Sequence, residues 1–295
     1  MQVFLLCYCA IIASIAETCV AQTAHTEQEN QKSLLNFSRK EIVAFSITAH
    51  TIGATILLYE WWWKDDYHHF SFGKEGFFDD YSLGVDKIGH FYTSYFYTKA
   101  LYQIFKWADY DDTSLMLWSV AIPVAYALGW EIGDGFSHYA FSIEDLASNY
   151  LGTGYALLQL KYPVLDNFKF KWSYVPTGKK YPNGWQLASD YDGHIYWLSI
   201  STHFFLPKNL QTDYTKYLNI AFGYGLKNYD GYSGVKTNNV LRKFAVSLDL
   251  NLSAIETGSD SWNAFIHIID NFHFPAPGIK KTENQPAEFK PLLIN

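Results

Sequence analysis

The sequence predicts an α+β fold, in which an N-terminal four-helix apolar bundle precedes a small antiparallel β-meander. Between residues 40 and 162 the apolar residues recur with the helical period of about 3.6, whereas after Pro163 the period changes to two. A chain of 295 residues suffices for one sizeable domain or two small ones. The segments we expect are a signal peptide at 1–21, a polar leader at 22–39, the helical domain at 40–162, a β-rich extension at 163–276 and a C-terminal tail at 277–295.

Two apolar segments of the helical domain are long enough to raise the question of a membrane. Ile42 to Tyr59 and Thr113 to Trp130 each run for 18 residues without a formal charge. This is the lower limit for a membrane-spanning helix, about 18 to 20 residues. The tryptophan triplet at 61–63 fits an anchor at a membrane interface. The alternative is that both segments are buried helices of a soluble bundle, which polar Thr48 and His50 within the first segment make credible.

The other two predicted helices, Val85 to Trp107 and Glu144 to Leu160, carry polar stripes. On the first of them Asp86, His90 and Ser94 fall on one face, because residues four apart in a helix are neighbours. Asp86, one turn before His90, can fix the imidazole tautomer and raise its basicity. This pattern predicts either a general base or metal ligand at His90, or a histidine whose polar groups are satisfied in the core.

Two further carboxylates, Glu131 and Asp134, follow the uncharged run that ends at Trp130. They suit second metal ligands or acid/base partners, and they equally suit the point where the chain returns to water. Glycines at 129, 133 and 135 allow either a close approach of another element or a break in the helix.

The third polar element begins at Ser142. The pattern Ser142-x-x-Asp145 is typical of a helix N-terminus, so capping alone can explain Asp145. Asn149 lies one turn further on, on the same face as Asp145 and Gly152. Gly152-x-Gly154 has no preceding strand, so it indicates close helix packing and no nucleotide cofactor.

After Pro163 three strands are predicted, at His194 to Phe205, Tyr217 to Leu226 and Phe244 to Ile255. Turn signals such as Pro182-Asn183-Gly184 and Asp230-Gly231 separate them. In the last two strands large apolar residues alternate with small or polar ones, which predicts one apolar and one polar face. This alternation also resembles that of outer-membrane strands. We therefore expect a sheet that either covers the helices or lies against lipid.

The N-terminus and the composition predict a protein of the cell envelope, periplasmic or membrane-associated. Apolar Val3 to Ala16 followed by Cys19-Val20-Ala21 is typical of an export signal. Cleavage after Ala21 would remove all three cysteines, which excludes cysteine nucleophiles, thiolate zinc sites and disulfides; lipidation of Cys19 is the alternative. A net charge of −7 without a basic run argues against a nucleic-acid partner. An aromatic content of 19% suits a membrane or envelope partner, or a core built on aromatic residues.

Three runs carry a resemblance to known families: G-V-D-K-I-G-H-F-Y-T-S-Y from Gly84, W-E-I-G-D from Trp130, and F-S-I-E-D-L-A-S-N-Y-L-G-T-G-Y from Phe141. Over about residues 80 to 160 they resemble the YfiM-like family of uncharacterised predicted periplasmic lipoproteins and, more faintly, VanZ-like membrane proteins. The resemblance implies an envelope location, a compact helical domain and no established activity. It also implies that one set of polar residues recurs in this domain: Asp86, Lys87, His90, Glu131, Asp145 and Asn149. The chain departs from the family in its weak lipoprotein signal and its long β-rich extension.

Three classes of function follow from these observations. The first is an envelope protein of structural or binding type, held in register by a buried polar network of Lys87, Ser94, Asp134, Asp145 and Asn149. The second is a hydrolase or transferase that acts on a lipid or glycan, with His90, Asp86 and Glu131 as catalytic residues. In that class a divalent metal would be held by His90, Glu131 and Asp145, because one histidine with several carboxylates suits an oxygen-rich site. The third is a partner-binding module, in which the strand edges of residues 194 to 255 accept another envelope protein.

Overall fold

The computed structural model describes residues 37–179, 187–229 and 239–295. The predicted α+β class is confirmed, since four long helices precede a six-stranded antiparallel sheet. The predicted signal peptide, most of the predicted leader and the predicted turns at Pro182-Asn183-Gly184 and Asp230-Gly231 lie outside the described residues.

The four long helices cover the four segments with helical periodicity, and two short helices follow. The helices are α1 (Arg39–Leu58, continued by a π-helix at Tyr59–Trp63), α2 (Val85–Trp107), α3 (Asp112–Gly135), α4 (Ile143–Lys161), α5 (Thr202–Phe205) and α6 (Asp260–Ile269). The strands are β1 (Phe168–Tyr174), β2 (His194–Ser201), β3 (Leu218–Lys227), β4 (Leu241–Leu250), β5 (Ala276–Thr282) and β6 (Ala287–Leu293).

The described chain forms two compact units. The helical unit comprises residues 37–73 and Tyr97–Ile143, and the sheet unit comprises Lys74–Phe96 and Glu144–Asn295. Helix α2 belongs to both, because its first half lies in the sheet unit and its second half in the helical unit.

The helical unit has its own apolar core and well-defined helix starts. The buried side chains of this core include Val43, Leu101, Phe105, Leu115 and Ile122. Helix α1 starts at Ser38, which forms a capping box with Glu41. Helix α3 starts at Asp111, whose carboxylate accepts hydrogen bonds from two backbone amides of the first turn.

Two stretches of the helical unit, Arg39–Trp63 and Asp112–Gly135, are long and apolar enough to cross a membrane. Only 22% and 39% of their most apolar windows are buried. The two stretches therefore meet the requirements of length and composition for membrane-spanning helices.

Helix α3 continues through the glycines at which the sequence allows a break. A Cβ at Gly133 would overlap the ring of Trp63, and a Cβ at Gly135 would overlap the ring of Phe70. These glycines therefore let two aromatic rings lie directly against the helix backbone, and the helix ends only after them.

The sheet is a meander in which every strand pairs with its neighbours in sequence order, β1-β2-β3-β4-β5-β6. The sequence predicts only β2, β3 and β4. Strand β1, whose sequence F-K-F-K-W-S-Y also alternates, is an additional strand. Strands β5 and β6 lie in the segment that the sequence predicts to be a C-terminal tail.

The prediction that strand edges between residues 194 and 255 accept a partner is wrong, because β2, β3 and β4 are each paired on both sides. The outer strands are β1 and β6. Part of β1 is itself covered, since the Trp172 amide donates to the Asn271 carbonyl (3.1 Å) and the His273 amide donates to the Trp172 carbonyl (2.9 Å). The ends of two predicted strands are also different: Thr202–Phe205 is helical and Leu252–Ala254 is a 3-10 turn.

One side of the sheet is apolar across all six strands. Residues that lie directly opposite each other share a face, and one row consists of Phe170, Leu198, Phe222, Val246, Ile279 and Phe289. Helices α2 and α4 cover this side at β1, where the ring centroid of Phe170 lies 4.7 Å from that of Phe91 and 5.2 Å from that of Tyr155. Further across the sheet the same side is exposed. We call this exposed part the apolar face: Leu218, Ile220, Phe222, Phe244, Val246, Leu248, Leu250, Ile279 and Phe289.

The opposite side of the sheet is polar and buried. Lys171 of β1 is fully buried, and its Nζ lies 2.8 Å from both Asp249 Oδ2 and Asp270 Oδ1. Ser199 Oγ donates to Asp249 Oδ2 (2.6 Å), and Asn219 Nδ2 donates to Ser199 Oγ (2.9 Å). The predicted alternation is therefore present, but on β4 and most of β3 the buried residues are the small and polar ones. On β2, Ile195 and Trp197 also face this side and are buried.

The contact between helices α2 and α4 depends on one glycine. A Cβ at Gly152 would overlap the backbone carbonyl oxygen of Phe91, whereas a Cβ at Gly154 has no atom within 4 Å. We expect Gly152→Ala to destabilise the protein by about 1–3 kcal/mol or more, because backbone cannot give way as a side chain can. Gly154→Ala, the matched control, should be neutral or stabilising by up to about 1 kcal/mol. Thermal unfolding of the two variants checks this, and equal melting temperatures would contradict it.

The buried ion pairs of the sheet predict a specific response to acid. Burial alone would raise the pKa of Asp270, but Lys169 and Lys171 lower it to about 2, from an ordinary value of 3.8. A lowered pKa means that the stabilisation is complete above pH 4 and is lost as the pH falls toward 2, by about 2 kcal/mol. Asp270→Asn should remove this loss and should cost about 3–5 kcal/mol at neutral pH, because it removes the carboxylate that contacts Lys169 and one of the two that contact buried Lys171.

Chemical denaturation at several pH values tests the Asp270 prediction. Asp213→Asn, at an exposed turn, is the control and should behave like the wild type. A wild-type and an Asp270→Asn protein with parallel stability curves between pH 4 and pH 2 would contradict the prediction.

Candidate functional site

The centre of the site is the side chain of Lys87, which is only 3% exposed. Its Nζ lies 2.6 Å from Asp145 Oδ1 and 2.9 Å from Asp86 Oδ2, and it also donates to Glu75 Oε2. Three carboxylates therefore surround one buried ammonium group. Burying an ammonium is costly unless each of its protons finds a partner, and here each proton can find one.

The turn before helix α2 fixes the backbone around this cluster. Asp80 Oδ1 accepts from the Gly84 amide (2.7 Å) and its Oδ2 accepts from Ser82 Oγ (2.8 Å). Ser82 Oγ in turn accepts from the Asp86 amide (3.0 Å) in the first turn of the helix. Gly84 has a φ of +86°, a conformation that glycine adopts without strain. This local network holds Asp86 and Lys87 at the start of α2.

A tyrosine from the β-rich part completes the coordination of Asp86. Tyr191 Oη donates to Asp86 Oδ1, so Lys87 and Tyr191 engage different oxygens of the same carboxylate. Tyr191 lies 105 residues away in the sequence. The cluster thereby connects helix α2, helix α4 and the turn that leads into β2.

His90 lies beside the cluster, and its ring nitrogens have different environments. Nε2 is 3.8 Å from both Asp86 Oδ1 and Asp145 Oδ1, beyond hydrogen-bond distance but close enough for electrostatic attraction. Nδ1 contacts Asn149 Nδ2 at 3.0 Å. Asn149 Nδ2 also donates to the Asp145 carbonyl (3.0 Å), while Asn149 Oδ1 accepts from Ser94 Oγ (2.7 Å).

These contacts of Asn149 determine the tautomer of His90. Because the Asn149 NH₂ group donates, Nδ1 of His90 must accept, and the proton of a neutral imidazole then resides on Nε2. The Nε2 proton points toward the two aspartates. A histidine in this state donates toward the cluster, so it is not set up to take a proton through Nε2.

The pKa values of the cluster follow from burial and from the sharing of one positive charge. Burial alone would raise the pKa of Asp86, but His90, Lys87 and Tyr191 lower it to about 2. Burial raises the pKa of both Asp145 and Glu75 above their ordinary values. Burial alone would lower the pKa of Lys87, but Asp86, Asp145 and Glu75 together raise it. At neutral pH Lys87 is therefore charged and Asp86 is ionised.

Two groups of side chains have the spacing of metal ligands. One ligand atom each of Asp86, His90 and Asp145 lie within 4.8 Å of one another, and the same is true of Glu75, Asp80 and Asp86. Lys87 Nζ, however, already contacts carboxylates of both groups. A divalent cation beside this ammonium would be repelled, and the proton on Nε2 of His90 would have to leave. The arrangement fits a lysine as its internal cation better than it fits a metal.

The structure gathers most of the predicted site residues in the sheet unit. These are Asp86, Lys87, His90, Ser94, Asp145 and Asn149. Glu131 and Asp134 belong to the helical unit. There Glu131 Oε2 accepts from the Ser142 amide (3.1 Å), and Asp134 Oδ1 accepts from Trp63 Nε1 (2.7 Å).

Sequence reasoning misses two members of the cluster, Glu75 and Tyr191. Glu75 lies in an irregular segment before α2, where no periodicity singles out one acidic residue. Tyr191 is one of 23 tyrosines, and nothing in its neighbourhood distinguishes it. A signal does exist for the supporting turn, because Asp80-x-Ser82-x-Gly84 just before an amphipathic segment is typical of a side-chain-stabilised turn.

The sequence of residues 74–161 matches a family described as a predicted periplasmic lipoprotein (DUF2279). The matched segment contains Glu75, Asp86, Lys87, His90, Asp145 and Asn149. The match confirms the predicted location, an exported protein associated with the cell envelope. No curated protein and no solved structure is significantly similar to the chain.

The central lysine gives a direct test of the cluster. We expect Lys87→Met, which keeps the unbranched stem but removes the charge, to destabilise the protein by about 3–5 kcal/mol at neutral pH, because Glu75, Asp86 and Asp145 lose the ammonium that contacts all three. The loss should shrink in mild acid, where protonation relieves the repulsion. Lys106→Met, an exposed position of the same helix, should stay within about 0.5 kcal/mol of the wild type.

Denaturant titration at neutral and mildly acidic pH measures both Lys87 effects. Adding Asp145→Asn to Lys87→Met should recover part of the stability, since one of the unbalanced charges is removed. If Lys87→Met unfolds at the same denaturant concentration as Lys106→Met, the ammonium does not hold the cluster together.

Proposed function

We propose that the sheet unit is a structural scaffold of an exported cell-envelope protein, and that the Lys87 cluster braces this scaffold and carries no reaction. The observation that supports the proposal is the position of Lys87 Nζ, in contact with Glu75, Asp86 and Asp145. A carboxylate that binds a substrate or a metal directly would have to be accessible to it. Here the carboxylates are engaged by a residue of the chain itself.

The partners of the cluster support a bracing role. Glu75 precedes helix α2, Asp86 lies in its first turn, Asp145 lies in the first turn of α4 and Tyr191 comes from the turn before β2. Because these segments are far apart in the sequence, one buried ion cluster fixes their relative positions. Such use of buried polar groups, which specifies one arrangement at some cost in free energy, is known from other proteins.

We further propose that residues 74–161 form a YfiM-like domain. The fainter resemblance to VanZ-like proteins concerns only the polar residues of this domain. The support is the position of Asp86, Lys87 and His90 at the start of one helix and of Asp145 and Asn149 in another, the residues that the resemblance implies as a set. The β-rich extension supplies Tyr191 to this set, so the domain and the extension form one functional piece.

The second candidate is a hydrolase or transferase that acts on a lipid or glycan. One observation favours it, the accessibility of His90. The His90 side chain is 22% exposed, whereas the side chains of Lys87, Asp86 and Asp145 are 3%, 10% and 11% exposed. Chemistry at His90 would require rotation of the Asn149 amide, so that Nδ1 carries the proton and Nε2 becomes basic. The Asn149 carbonyl oxygen would then accept from Nδ1 and orient the imidazole, and Asp86 and Asp145 would stabilise the imidazolium that forms when Nε2 takes a proton.

A histidine substitution separates the two candidates. If the cluster is a brace, His90→Ala should fold, should lose only about 1–2 kcal/mol of stability and should restore the envelope barrier of a strain that lacks the gene. Lys87→Met should fail in that strain in proportion to its lowered protein level. Immunoblotting measures the protein level, and uptake of a hydrophobic dye measures the barrier. His90→Ala present at the wild-type level without restoring the barrier would favour the enzyme.

Metal analysis of the purified full chain supplies an independent readout. A scaffold braced by Lys87 should contain no stoichiometric zinc, manganese, magnesium or calcium, and adding these ions should leave the melting temperature unchanged. One metal per chain that disappears in both His90→Ala and Asp145→Asn would instead support the metal-dependent enzyme.

A further inference from the structure

The apolar face of the sheet is exposed although it consists of large hydrocarbon side chains. On the two central strands β3 and β4, for example, Phe222, Val246 and Leu248 are 45–49% exposed. They lie next to one another, since Phe222 pairs with Val246 and Ile220 pairs with Leu248. Contiguous exposed apolar surface of this kind marks an interaction site.

The polarity of these strands is the reverse of that expected for a sheet in water. An antiparallel sheet with one wet side keeps its polar residues outside and its apolar residues inside. Here Asn219, Lys243, Ser247 and Asp249 are buried on the inner side of β3 and β4. Strands that face lipid show this reversed alternation, apolar outside and polar inside.

The inner side holds buried polar contacts beside a small apolar cluster that includes Ile195 and Trp197. Lys171 contacts both Asp249 and Asp270. Lys243 Nζ donates to the Asp192 carbonyl (2.7 Å), and Trp197 Nε1 donates to Ser173 Oγ (2.8 Å). Exchanging the two faces would place these charges outside and the leucines inside, which in water would be the less costly arrangement. The observed arrangement therefore indicates an apolar medium outside.

Charged residues lie at one end of the apolar face. Arg242 precedes Phe244 by two residues on the same face of β4, and its Nη1 lies 3.8 Å from Glu283 Oε1. Lys281 lies directly opposite Phe244 on β5. From Phe244 to Leu250 the apolar residues of β4 extend over roughly 20 Å, comparable to the apolar band of outer-membrane proteins. Cations at the edge of such a band are placed to meet lipid phosphates.

We propose that the apolar face is a lipid-binding surface, which contacts the acyl chains of a phospholipid bilayer and places Arg242 and Lys281 at the level of the phosphates. A second copy of the chain would be a poorer occupant, because a protein interface forms about one hydrogen bond per 100–200 Å² and each side chain of this face is a hydrocarbon. The cations at its edge also complement anionic headgroups. The proposal is independent of whether the Lys87 cluster braces or catalyses.

Depth-dependent fluorescence quenching tests the proposal on the full chain. Cys7, Cys9 and Cys19 are replaced by serine, and Val246→Cys, Phe289→Cys and Glu288→Cys are each labelled with bimane. Phe289 and Glu288 are adjacent on β6 but lie on opposite sides of the sheet, and both are exposed, so Glu288 is a matched control. The proteins are reconstituted with vesicles of phosphatidylethanolamine and phosphatidylglycerol, and circular dichroism verifies their folding.

Nitroxide lipids labelled in the acyl chain should quench bimane at 246 and 289 several-fold more strongly than at 288. Iodide in the aqueous phase should show the opposite order. Equal quenching of all three positions by iodide, or failure of the folded protein to float with the vesicles, would overturn the proposal. Protection of 246 and 289 from both quenchers, with disulfide cross-linking between unlabelled Val246→Cys chains, would assign the face to a second copy instead.

Discussion

The sheet unit depends on one electrostatic constraint, a lysine ammonium that is buried among three carboxylates. Removing such a charge from water is costly, and only the simultaneous presence of Glu75, Asp86 and Asp145 offsets that cost. The constraint explains why a loop, two helices and a turn of the β-rich extension meet at one point. The backbones of α2 and α4 also lie against each other at Gly152, where a Cβ would overlap the Phe91 carbonyl oxygen.

A second buried ion network follows the same principle on the other side of the sheet. Lys171 is paired with Asp249 and Asp270, so charged strand residues that would normally face water have partners inside. Once the polar residues of β1 and β4 are satisfied inside, the alternation of the strands forces their leucines, valines and phenylalanines outward. The same orientation of the strands therefore places the ion pairs inside and the apolar side chains outside.

The sequence predicts well those features that are encoded locally. Periodicity locates the long helices, and alternation locates β2 to β4. It does not reveal which face of a strand is buried. The alternation of Phe222 with Gly223 would be the same whether the phenylalanine faced the interior or the outside. Strand β1 is missed because its lysines suggest a wet surface, although Lys171 is fully buried. Glu75 and Tyr191 join the site only through the tertiary fold, and no local pattern marks them.

Buried lysines occur both in the Lys87 cluster and in the sheet. Lys87, Lys171 and Lys243 are all buried, while Phe222, Val246 and Leu248 are exposed. In water this distribution would be unfavourable twice, once for each desolvated ammonium and once for each exposed hydrocarbon side chain. Next to lipid the second cost disappears, and the buried lysines have carboxylate or carbonyl partners inside. The ion clusters of the interior are thus the arrangement expected of a polar core whose outer surroundings are apolar.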